Sequence, residues 1–293
     1  MKTPALTTQV VTEELRHWIV AQAEAGCRPQ DVVQAMQASG WEEAVALDAM
    51  ERTLRQHLRK LDDADDPPDT ALPPANTVPE PVLGGACEVT LSDGQTVRVL
   101  SGLSRPRVLV LGGLLTDDEC VELMAQARPK LARSETVDNA TGGSEVNAAR
   151  TSDGMFFERG QTPLIARLEA RMAELLCWPV EHGEGLQILR YRPGAEYRPH
   201  HDYFDPVHPG TPRILERGGQ RVGTLIVYLN TPTAGGSTVF PDVGLEVAPL
   251  RGNAVFFSYD RPHASTHTLH GGAPVTAGEK WVATKWLREG VFS

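Results

Sequence analysis

The first sixty residues place apolar side chains at the three- and four-residue spacing of amphipathic helices. Three such segments follow one another, at about 12–25, 29–39 and 41–58. Thr12 can cap the first helix, Pro29 stands near the start of the second, and Gly40 ends it. We therefore predict that residues 1–60 form a small helical bundle. Because a unit of this size is marginal alone, it is a candidate interaction module, for a protein partner or a dimer contact.

Residues 61–82 show no apolar periodicity and combine acidic residues with prolines. The stretch begins with four aspartates among six residues and continues through Pro67, Pro68, Pro73, Pro74, Pro79 and Pro81. This composition is typical of an extended, solvated spacer. We predict an acidic, proline-rich linker between the bundle and a second domain, residues 83–293.

The second domain alternates short β-rich segments with turn residues. Candidate strands lie at about 89–91, 97–99, 108–111, 186–191, 222–229, 245–247, 254–257 and 281–286. Two amphipathic helices come early, one opened by a capping box at Thr116 and one spanning 163–176. Many short strands with helices supplied early predict a mainly β fold, a sandwich or jelly-roll supported on one side by helices.

The stretch from Ser134 to Ala149 is polar, rich in small residues and long for a connection inside a compact domain. Loops of this length are usually functional or disordered. We interpret it as a candidate lid.

Composition narrows the function classes. The 293 residues carry a net charge of −10 and are 41% hydrophobic, which predicts a globular acidic protein with a substantial core. The charge argues against a general nucleic-acid or anionic-membrane binder. No apolar run reaches membrane-spanning length, the N-terminus has no apolar signal core, and the four cysteines are scattered. We therefore expect a cytoplasmic protein with reduced thiols.

His200 and Asp202 stand two residues apart in a predicted strand. Residues i and i+2 of a strand point to the same face, so an imidazole and a carboxylate would lie side by side. They would supply two ligands of a 2-His-1-carboxylate triad, which holds Fe(II) and leaves open positions. His270, in a later strand, is the candidate third ligand. Because the tripeptide His-x-Asp also arises by chance, this prediction depends on the surrounding sequence.

Lys280 follows His270 by ten residues and lies among apolar and aromatic residues. If buried, its ammonium group needs an anionic partner. A cosubstrate with a distal carboxylate, such as 2-oxoglutarate, would provide one. The alternative is an exposed strand lysine.

Several separate motifs strengthen the metal-site prediction. They are RTSDGMF (150–156), GEGLQ (183–187), YRPGAEYRPHHDYF (191–204), GGQR (218–221), GGSTVFP (235–241) and LHGGAPVTAGEKWVATKW (269–286). With these motifs in this order, residues from about 105 to 290 resemble the prolyl 4-hydroxylase family of Fe(II)/2-oxoglutarate dioxygenases, in particular its soluble bacterial, algal and plant members. The region before Leu83 is outside the resemblance.

The resemblance implies a double-stranded β-helix with His200, Asp202 and His270 as catalytic iron ligands. It implies Lys280 as the partner of the distal carboxylate of 2-oxoglutarate. Further positions that it assigns to the cosubstrate pocket are Tyr191, Thr238 and Trp286. Positions that it associates with a peptide groove are Arg150, Tyr197 and Arg221. Implied cofactors and cosubstrates are Fe(II), 2-oxoglutarate and O₂, with ascorbate as a further candidate.

The implied reaction is 4-hydroxylation of a peptidyl proline, with release of succinate and CO₂. One alternative is hydroxylation of a free amino acid or of another residue type. Another is a non-catalytic 2-oxoglutarate or oxygen sensor, against which the intact ligand set argues. An open groove would favour a peptide substrate, whereas a small closed pocket would favour a free amino acid.

Overall fold

The computed structural model of the chain describes residues 11–65, 72–134, 136–137, 141, 143–145 and 150–293, apart from residues 25 and 84. Two compact units divide between Leu72 and Pro73. This division falls inside the predicted linker, so its last ten residues belong to the larger unit. There the backbone N–H of Val82 donates a hydrogen bond to the carbonyl oxygen of Leu175.

The smaller unit contains three helices, α1 (Glu13–Glu24), α2 (Pro29–Ala38) and α3 (Glu43–Asp65). Buried side chains from all three form one apolar cluster, which includes Ile19, Met36 and Ala46. The helix α3 continues to Asp65, beyond its predicted end at about residue 58, because no proline or glycine interrupts the chain over that stretch. The acidic residues before Asp65 are thus helical rather than extended.

The larger unit contains the strands β1 (Glu88–Thr90), β2 (Thr96–Leu103), β3 (Arg107–Gly112), β4 (Ala132–Arg133), β5 (Thr136–Val137), β6 (Ser144–Glu145), β7 (Asp153–Phe157), β8 (Leu186–Tyr191), β9 (Tyr197–His200), β10 (Arg221–Tyr228), β11 (Ala234–Gly235), β12 (Thr238–Phe240), β13 (Leu245–Val247), β14 (Ala254–Ser258), β15 (His270–Gly272), β16 (Val275–Ala277) and β17 (Lys280–Arg288). Its helices are α4 (Asp117–Ala127), α5 (Pro163–Leu176) and the short α6 (Thr211–Leu215).

Two antiparallel sheets contain thirteen of these strands, and the other four form the separate pairs β5-β6 and β11-β16. The large sheet has the order β1-β2-β3-β14-β10-β17-β8-β7-β4, and the small sheet has the order β13-β12-β15-β9. The strand β17 lies near the middle of the large sheet, between β10 and β8, and every residue of it is buried. Because neighbouring residues of a strand point to opposite faces, β17 presents side chains to both layers around the sheet.

Each face of the large sheet has its own apolar core. On one face, α4 and α5 pack through residues such as Leu123, Leu168 and Met172 against Trp281 and other strand residues. On the other face, side chains of the small sheet such as Phe240 pack among residues of β8, β10, β14 and β17. The large sheet is therefore covered by helices on one side and by the small sheet on the other, which is a jelly-roll with supporting helices.

The predicted fold class, mainly β with supporting helices and an N-terminal helical segment, is confirmed. The predicted helix at 163–176 coincides with α5, and the predicted strand at 186–191 coincides with β8. The capping box at Thr116 forms as its sequence indicates, with Glu119 as the reciprocal partner. Most of the candidate lid, residues 134–149, lies outside the described residues. Among the helices that the structure describes, none has the length and apolar composition needed to cross a membrane.

Candidate active site

His200, Asp202 and His270 come together between the two sheets. The register of β9 and β15 places His200 and His270 directly opposite each other. Asp202 lies between the two imidazoles, with 3.4 Å from its Oδ1 to His200 Nε2 and 3.4 Å from its Oδ2 to His270 Nε2. The candidate ligand atoms of the three side chains all lie within 4.8 Å of one another. The strand β9 ends at His200, so Asp202 reaches the group from the following bend rather than from the strand.

Backbone carbonyl groups orient both imidazoles. His200 Nδ1 lies 2.9 Å from the carbonyl oxygen of Arg198, and His270 Nδ1 lies 3.0 Å from that of Thr268. A carbonyl can only accept, so each Nδ1 carries the proton and each Nε2 presents its lone pair to the other ligands. Burial lowers the pKa of His270 to about 4, which keeps this imidazole neutral. Such outer hydrogen bonds fix the tautomer and ring orientation that a metal ligand needs.

Asp202 is held as a carboxylate. Burial alone would raise its pKa, but the positive charge that His270 and His200 carry when protonated, together with the guanidinium group of Arg221, outweighs burial and holds the pKa well below its usual range. Thr224 donates a hydrogen bond of 2.7 Å to Asp202 Oδ2, and its hydroxyl also lies 2.9 Å from the phenol oxygen of Tyr259. Two imidazoles and one oriented carboxylate form a donor set that suits non-heme Fe(II).

Lys280 lies beside this group and is 4% exposed. Its partner across the strand pair is Tyr191, and its Nζ lies 5.6 Å and 5.7 Å from the ring centroids of Tyr191 and Tyr228. In the described part of the chain, no carboxylate lies within ion-pair distance of this ammonium group. Burial lowers the pKa of Lys280 to about 7 from its ordinary 10.5. Lys280 is therefore buried rather than the exposed strand lysine of the alternative interpretation, and the described residues leave its charge available to an external anion.

One cavity joins the metal-ligand cluster to Lys280. Tyr191, Thr238 and Trp286, which the sequence assigned to a cosubstrate pocket, line it together with Lys280 and the three clustered side chains. Thr238 accepts a hydrogen bond from Tyr228 at 2.8 Å, so its own hydroxyl hydrogen remains free to donate. The indole N–H of Trp286 is buried without an acceptor among the described residues. The cavity wall therefore offers three donors to a ligand with carboxylate oxygens, namely Lys280, Thr238 and Trp286.

Arg150 and Tyr197 lie where the cavity meets the surface. A backbone bridge pairs the two residues, and the guanidinium carbon of Arg150 lies 5.0 Å from the ring centroid of Tyr197. The side chain of Arg150 donates to Gln187 at 2.8 Å, whereas its Nε is buried and finds no acceptor in the described structure. Burial raises the pKa of Tyr197 to about 12, so its phenol stays protonated.

Arg221 belongs to a buried charge cluster that the sequence did not reveal. Glu184 accepts hydrogen bonds from Arg221 Nε at 2.7 Å and from Arg288 Nε at 2.7 Å. Burial would raise the pKa of Glu184, but the two guanidinium groups outweigh it and hold the pKa below its usual range. The guanidinium carbon of Arg221 also lies 4.0 Å from the ring centroid of Trp286. Arg221 thus shares its carboxylate partner with Arg288, and it stacks on the ring of Trp286 next to the site.

A second buried ion pair, between Lys285 and Glu169, lies next to the backbone of Glu184. Lys285 Nζ lies 2.5 Å from Glu169 Oε1 and also donates to the carbonyl oxygen of Glu184. The backbone N–H of Glu184 donates to the carbonyl oxygen of Trp286 at 2.9 Å. The helix α5, which carries Glu169, is thereby connected through β17 to the charge cluster at the site.

A long groove extends outward from the metal-ligand cluster, with a volume of about 1170 Å³. Its walls include the three residues that the sequence associated with a peptide groove, Arg150, Tyr197 and Arg221. It also includes Phe156, whose side chain is 53% exposed and lies 6.4 Å from Trp286, centroid to centroid. Sequence reasoning did not single out Phe156, although it is the last residue of the motif RTSDGMF and stands next to Phe157, whose side chain is buried.

Comparisons with known proteins agree with this geometry. The 2OG-Fe(II) oxygenase superfamily matches residues 186–288. Prolyl 4-hydroxylase 2 of Arabidopsis thaliana is 39% identical over 213 residues, 64% of this chain and 69% of that protein. Prolyl 4-hydroxylase 5 of the same plant is 39% identical over 204 residues, 62% of this chain and 68% of that protein.

Solved structures include the viral collagen prolyl hydroxylase of Paramecium Bursaria Chlorella virus-1 in its 2OG complex. It is 29% identical, covers 62% of this chain and 95% of its own, and has a TM-score of 0.48. The two plant relatives match this chain over more than two thirds of their own length. The segment matched by the superfamily, residues 186–288, includes the clustered histidines, the aspartate and the buried lysine. The chain therefore belongs to the prolyl 4-hydroxylase family of Fe(II)- and 2-oxoglutarate-dependent dioxygenases.

Proposed function

We propose that this protein hydroxylates the 4-position of a proline residue within a polypeptide, while 2-oxoglutarate is converted to succinate and CO₂. The observation that carries the proposal is the continuity of three features: the His-Asp-His cluster, the cavity with an unpaired lysine, and the long open groove. The relatives with known names are prolyl 4-hydroxylases, which supports proline as the target.

His200, Asp202 and His270 would hold the iron. Bound Fe(II) supplies the activation of O₂ that lets an unreactive C–H bond be oxidised at the expense of 2-oxoglutarate. The chain's own contribution would be to hold the three ligand side chains close enough to bind one ion, beside the cavity that contains Lys280. The carbonyl groups of Arg198 and Thr268 hold the imidazoles in the tautomer that this arrangement needs.

Lys280 would pair with the distal carboxylate of 2-oxoglutarate, because it is a buried cation of the cavity and no carboxylate of the described residues lies within ion-pair distance of it. Thr238 would add a hydrogen bond to the same carboxylate, since its hydroxyl hydrogen is free. Trp286 lines the same cavity and would present its indole N–H to the ligand. Together these residues would fix the cosubstrate so that its keto-acid end points to the iron.

The groove supports a polypeptide over a free amino acid. Its volume of about 1170 Å³ exceeds the upper end of the roughly 300–1,000 Å³ typical of small-molecule pockets, and it is open to solvent. Aromatic rings line its floor and sides, among them Phe156, Tyr197 and Trp286. Grooves lined by aromatic rings are a recurring means of binding proline-rich segments in the extended polyproline conformation. A free proline would leave most of these rings without a contact.

The test is mass spectrometry on proline-containing peptides after incubation with the purified protein, Fe(II), 2-oxoglutarate, ascorbate and ¹⁸O₂. We expect a mass increase from one ¹⁸O atom, located on proline by fragmentation, and 4-hydroxyproline in the acid hydrolysate. His200→Ala should abolish the product. His208→Ala, a histidine outside both the cavity and the groove, should retain it.

Other products would redirect or overturn the proposal. Label found only on free proline, or on a residue other than proline, would replace it with the corresponding hydroxylase. The absence of both labelled product and succinate, in a protein that binds iron and 2-oxoglutarate, would favour a non-catalytic sensor instead.

We also propose that residues 1–60 and 83–293 are separate functional domains, with the helical bundle recruiting a protein partner. The support is the division of the chain into two compact units. A chain that begins at Pro73 should hydroxylate short peptides at the full rate, because the strands and the helices α4 and α5 remain. Starting at Leu83 would remove residues 73–82, including the Val82 hydrogen bond, and should lower stability. Loss of folding in the chain that begins at Pro73 would contradict the division.

A further inference from the structure

The groove has the opposite charge to the molecule as a whole. The chain carries 38 acidic and 28 basic side chains, lysine and arginine together. Among the groove-lining residues that the structure describes there are eight arginines against three carboxylates, Glu158, Glu184 and Asp202. Two of these carboxylates are engaged inside the site, since Glu184 binds two arginines and Asp202 faces the imidazoles. An acidic protein has thus concentrated arginines along one groove.

Part of this positive charge is committed to structure. Arg221 and Arg288 share the single carboxylate of Glu184, which balances one of their two positive charges. Arg133 and Arg159 donate to backbone carbonyl oxygens, which satisfies their hydrogen bonds without cancelling their charges. Arg150 pairs with the neutral amide of Gln187. These three arginines therefore keep an unbalanced positive charge on the groove wall.

The rim adds three exposed arginines. Arg213 is exposed and has no hydrogen bond or ion pair among the described residues. Arg217 is exposed and donates to a main-chain oxygen of Ser293. Arg198 is 69% exposed, and the nearest carboxylate oxygen, from Glu196, lies 3.8 Å away, which is a weak pair at this exposure. None of these three side chains packs in the core. Their shared position on the rim of the groove points to a role in binding a ligand.

We infer that the substrate is an acidic polypeptide, in which glutamate or aspartate residues flank the target proline and pair with the rim arginines. This inference rests on the proposed proline hydroxylation and specifies its substrate class. Guanidinium groups bind carboxylates through paired, charge-assisted hydrogen bonds. The remaining acidic surface repels such a polypeptide, so the groove is also where long-range attraction would deliver it. A basic polypeptide would be repelled by the groove and attracted to the acidic surface outside it.

The experiment compares three peptides of equal length, each with one central proline between alanines and with four flanking positions filled by glutamate, glutamine or lysine. The full-length protein is assayed with Fe(II) and 2-oxoglutarate at low salt. We expect kcat/KM for the glutamate peptide to exceed that for the glutamine peptide about tenfold, through KM, because exposed ion pairs contribute roughly two- to fivefold each. The lysine peptide should be the poorest, and added salt should narrow the differences.

Two variants locate the effect. Arg213→Gln combined with Arg217→Gln should reduce the preference for glutamate over glutamine to about twofold and leave the glutamine peptide almost unchanged. Arg251→Gln, an exposed arginine outside the groove, should preserve the full preference. Fluorescence anisotropy of labelled peptides measures the same preference without turnover.

The possible outcomes distinguish the acidic-substrate inference from the proposed proline hydroxylation on which it rests. Equal hydroxylation of all three peptides would overturn the acidic-substrate inference and leave proline hydroxylation standing. Binding of the glutamate peptide with no hydroxylation of any peptide would overturn proline hydroxylation and keep the charge preference. Tighter binding of a single-stranded oligonucleotide than of the glutamate peptide would assign the groove to nucleic acid and overturn the inference.

Discussion

Lys280 and Lys285 lie five residues apart on β17 and face opposite sides of the large sheet. Both are almost completely buried, at 4% and 3% exposure. Lys285, on the helix side, has its carboxylate from Glu169 at 2.5 Å. Lys280, on the cavity side, has no such partner among the described residues, and burial lowers its pKa to about 7. On the helix side of the strand the buried ammonium group is paired within the protein. On the cavity side it is paired only when an external anion binds.

The largest expected effect is on the helix side. Replacing Lys285 with methionine leaves the Glu169 carboxylate buried without its cation, and breaking such a pair costs about 3–5 kcal/mol of the free energy of unfolding. Urea denaturation measures this loss in the free energy of unfolding. The double variant Lys285→Met with Glu169→Met should recover most of that loss, because it removes the buried charges together. A single variant as stable as the parent would show that the pair contributes nothing.

On the cavity side, replacing the lysine with methionine should raise the free energy of unfolding rather than lower it. Lys280→Met removes a charge that folding desolvates without compensation, so the unliganded protein should gain roughly 1–4 kcal/mol at pH 7. Its affinity for 2-oxoglutarate should fall by about 30- to 1,000-fold, equivalent to roughly 2–4 kcal/mol for a lost buried charge pair. Calorimetry in the presence of Mn²⁺ measures the affinity. Unchanged affinity would remove Lys280 from the cosubstrate site.

The pH dependence of cosubstrate binding sharpens the contrast. The pKa of Lys280 is about 7 in the unliganded protein and must rise when a carboxylate binds, so binding takes up a proton above pH 7. Affinity for 2-oxoglutarate should therefore be constant below about pH 6.5 and fall by up to tenfold per pH unit above pH 7. The stability of the unliganded protein should show the reverse sign. Since its unfolded state binds the extra proton between about pH 7 and 10.5, the contribution of Lys280 to the free energy of unfolding rises with pH.

The smallest effect concerns the hydrogen bond beside the lysine. Thr238→Val keeps the shape of the side chain and removes the free hydroxyl donor, so KM for 2-oxoglutarate should rise about fivefold, equivalent to about 1 kcal/mol. Thr276→Val, at an exposed position of β16, is the matched control and should leave KM unchanged. A KM effect of equal size in both variants would mean that Thr238 has no direct contact with the cosubstrate.

This comparison also shows what the sequence can predict. The helix α5 and the strand β8 were predictable because their apolar spacing is local and regular. The clustering of His200, Asp202 and His270 followed from an i, i+2 spacing and from family motifs. The apolar neighbours of Lys280 left its exposure open, and the family motifs favoured a place in the cosubstrate pocket. Each of these motifs is a short, continuous segment of the sequence.

The paired charges were not predictable for the same reason. Lys285 and Glu169 are 116 positions apart, and Glu184 is separated from Arg288 by 104. A charged residue in an amphipathic helix such as α5 looks like a solvated side chain until the strand that packs on it is known. Whether such a residue is paired or exposed depends on the tertiary structure. The buried ion pair on the helix side of β17 was therefore harder to predict than the residues on the cavity side.

The direct pairing of His200 with His270 in the ladder between β9 and β15 has a kinetic consequence. These residues are 70 positions apart in the chain, and a slip of one residue in their register would turn one imidazole to the opposite face of the small sheet. A nascent chain can therefore capture its metal tightly only after this long-range pairing has closed correctly. Metal uptake during refolding would report the moment at which the small sheet is assembled, later than the burial of tryptophan on the helix side.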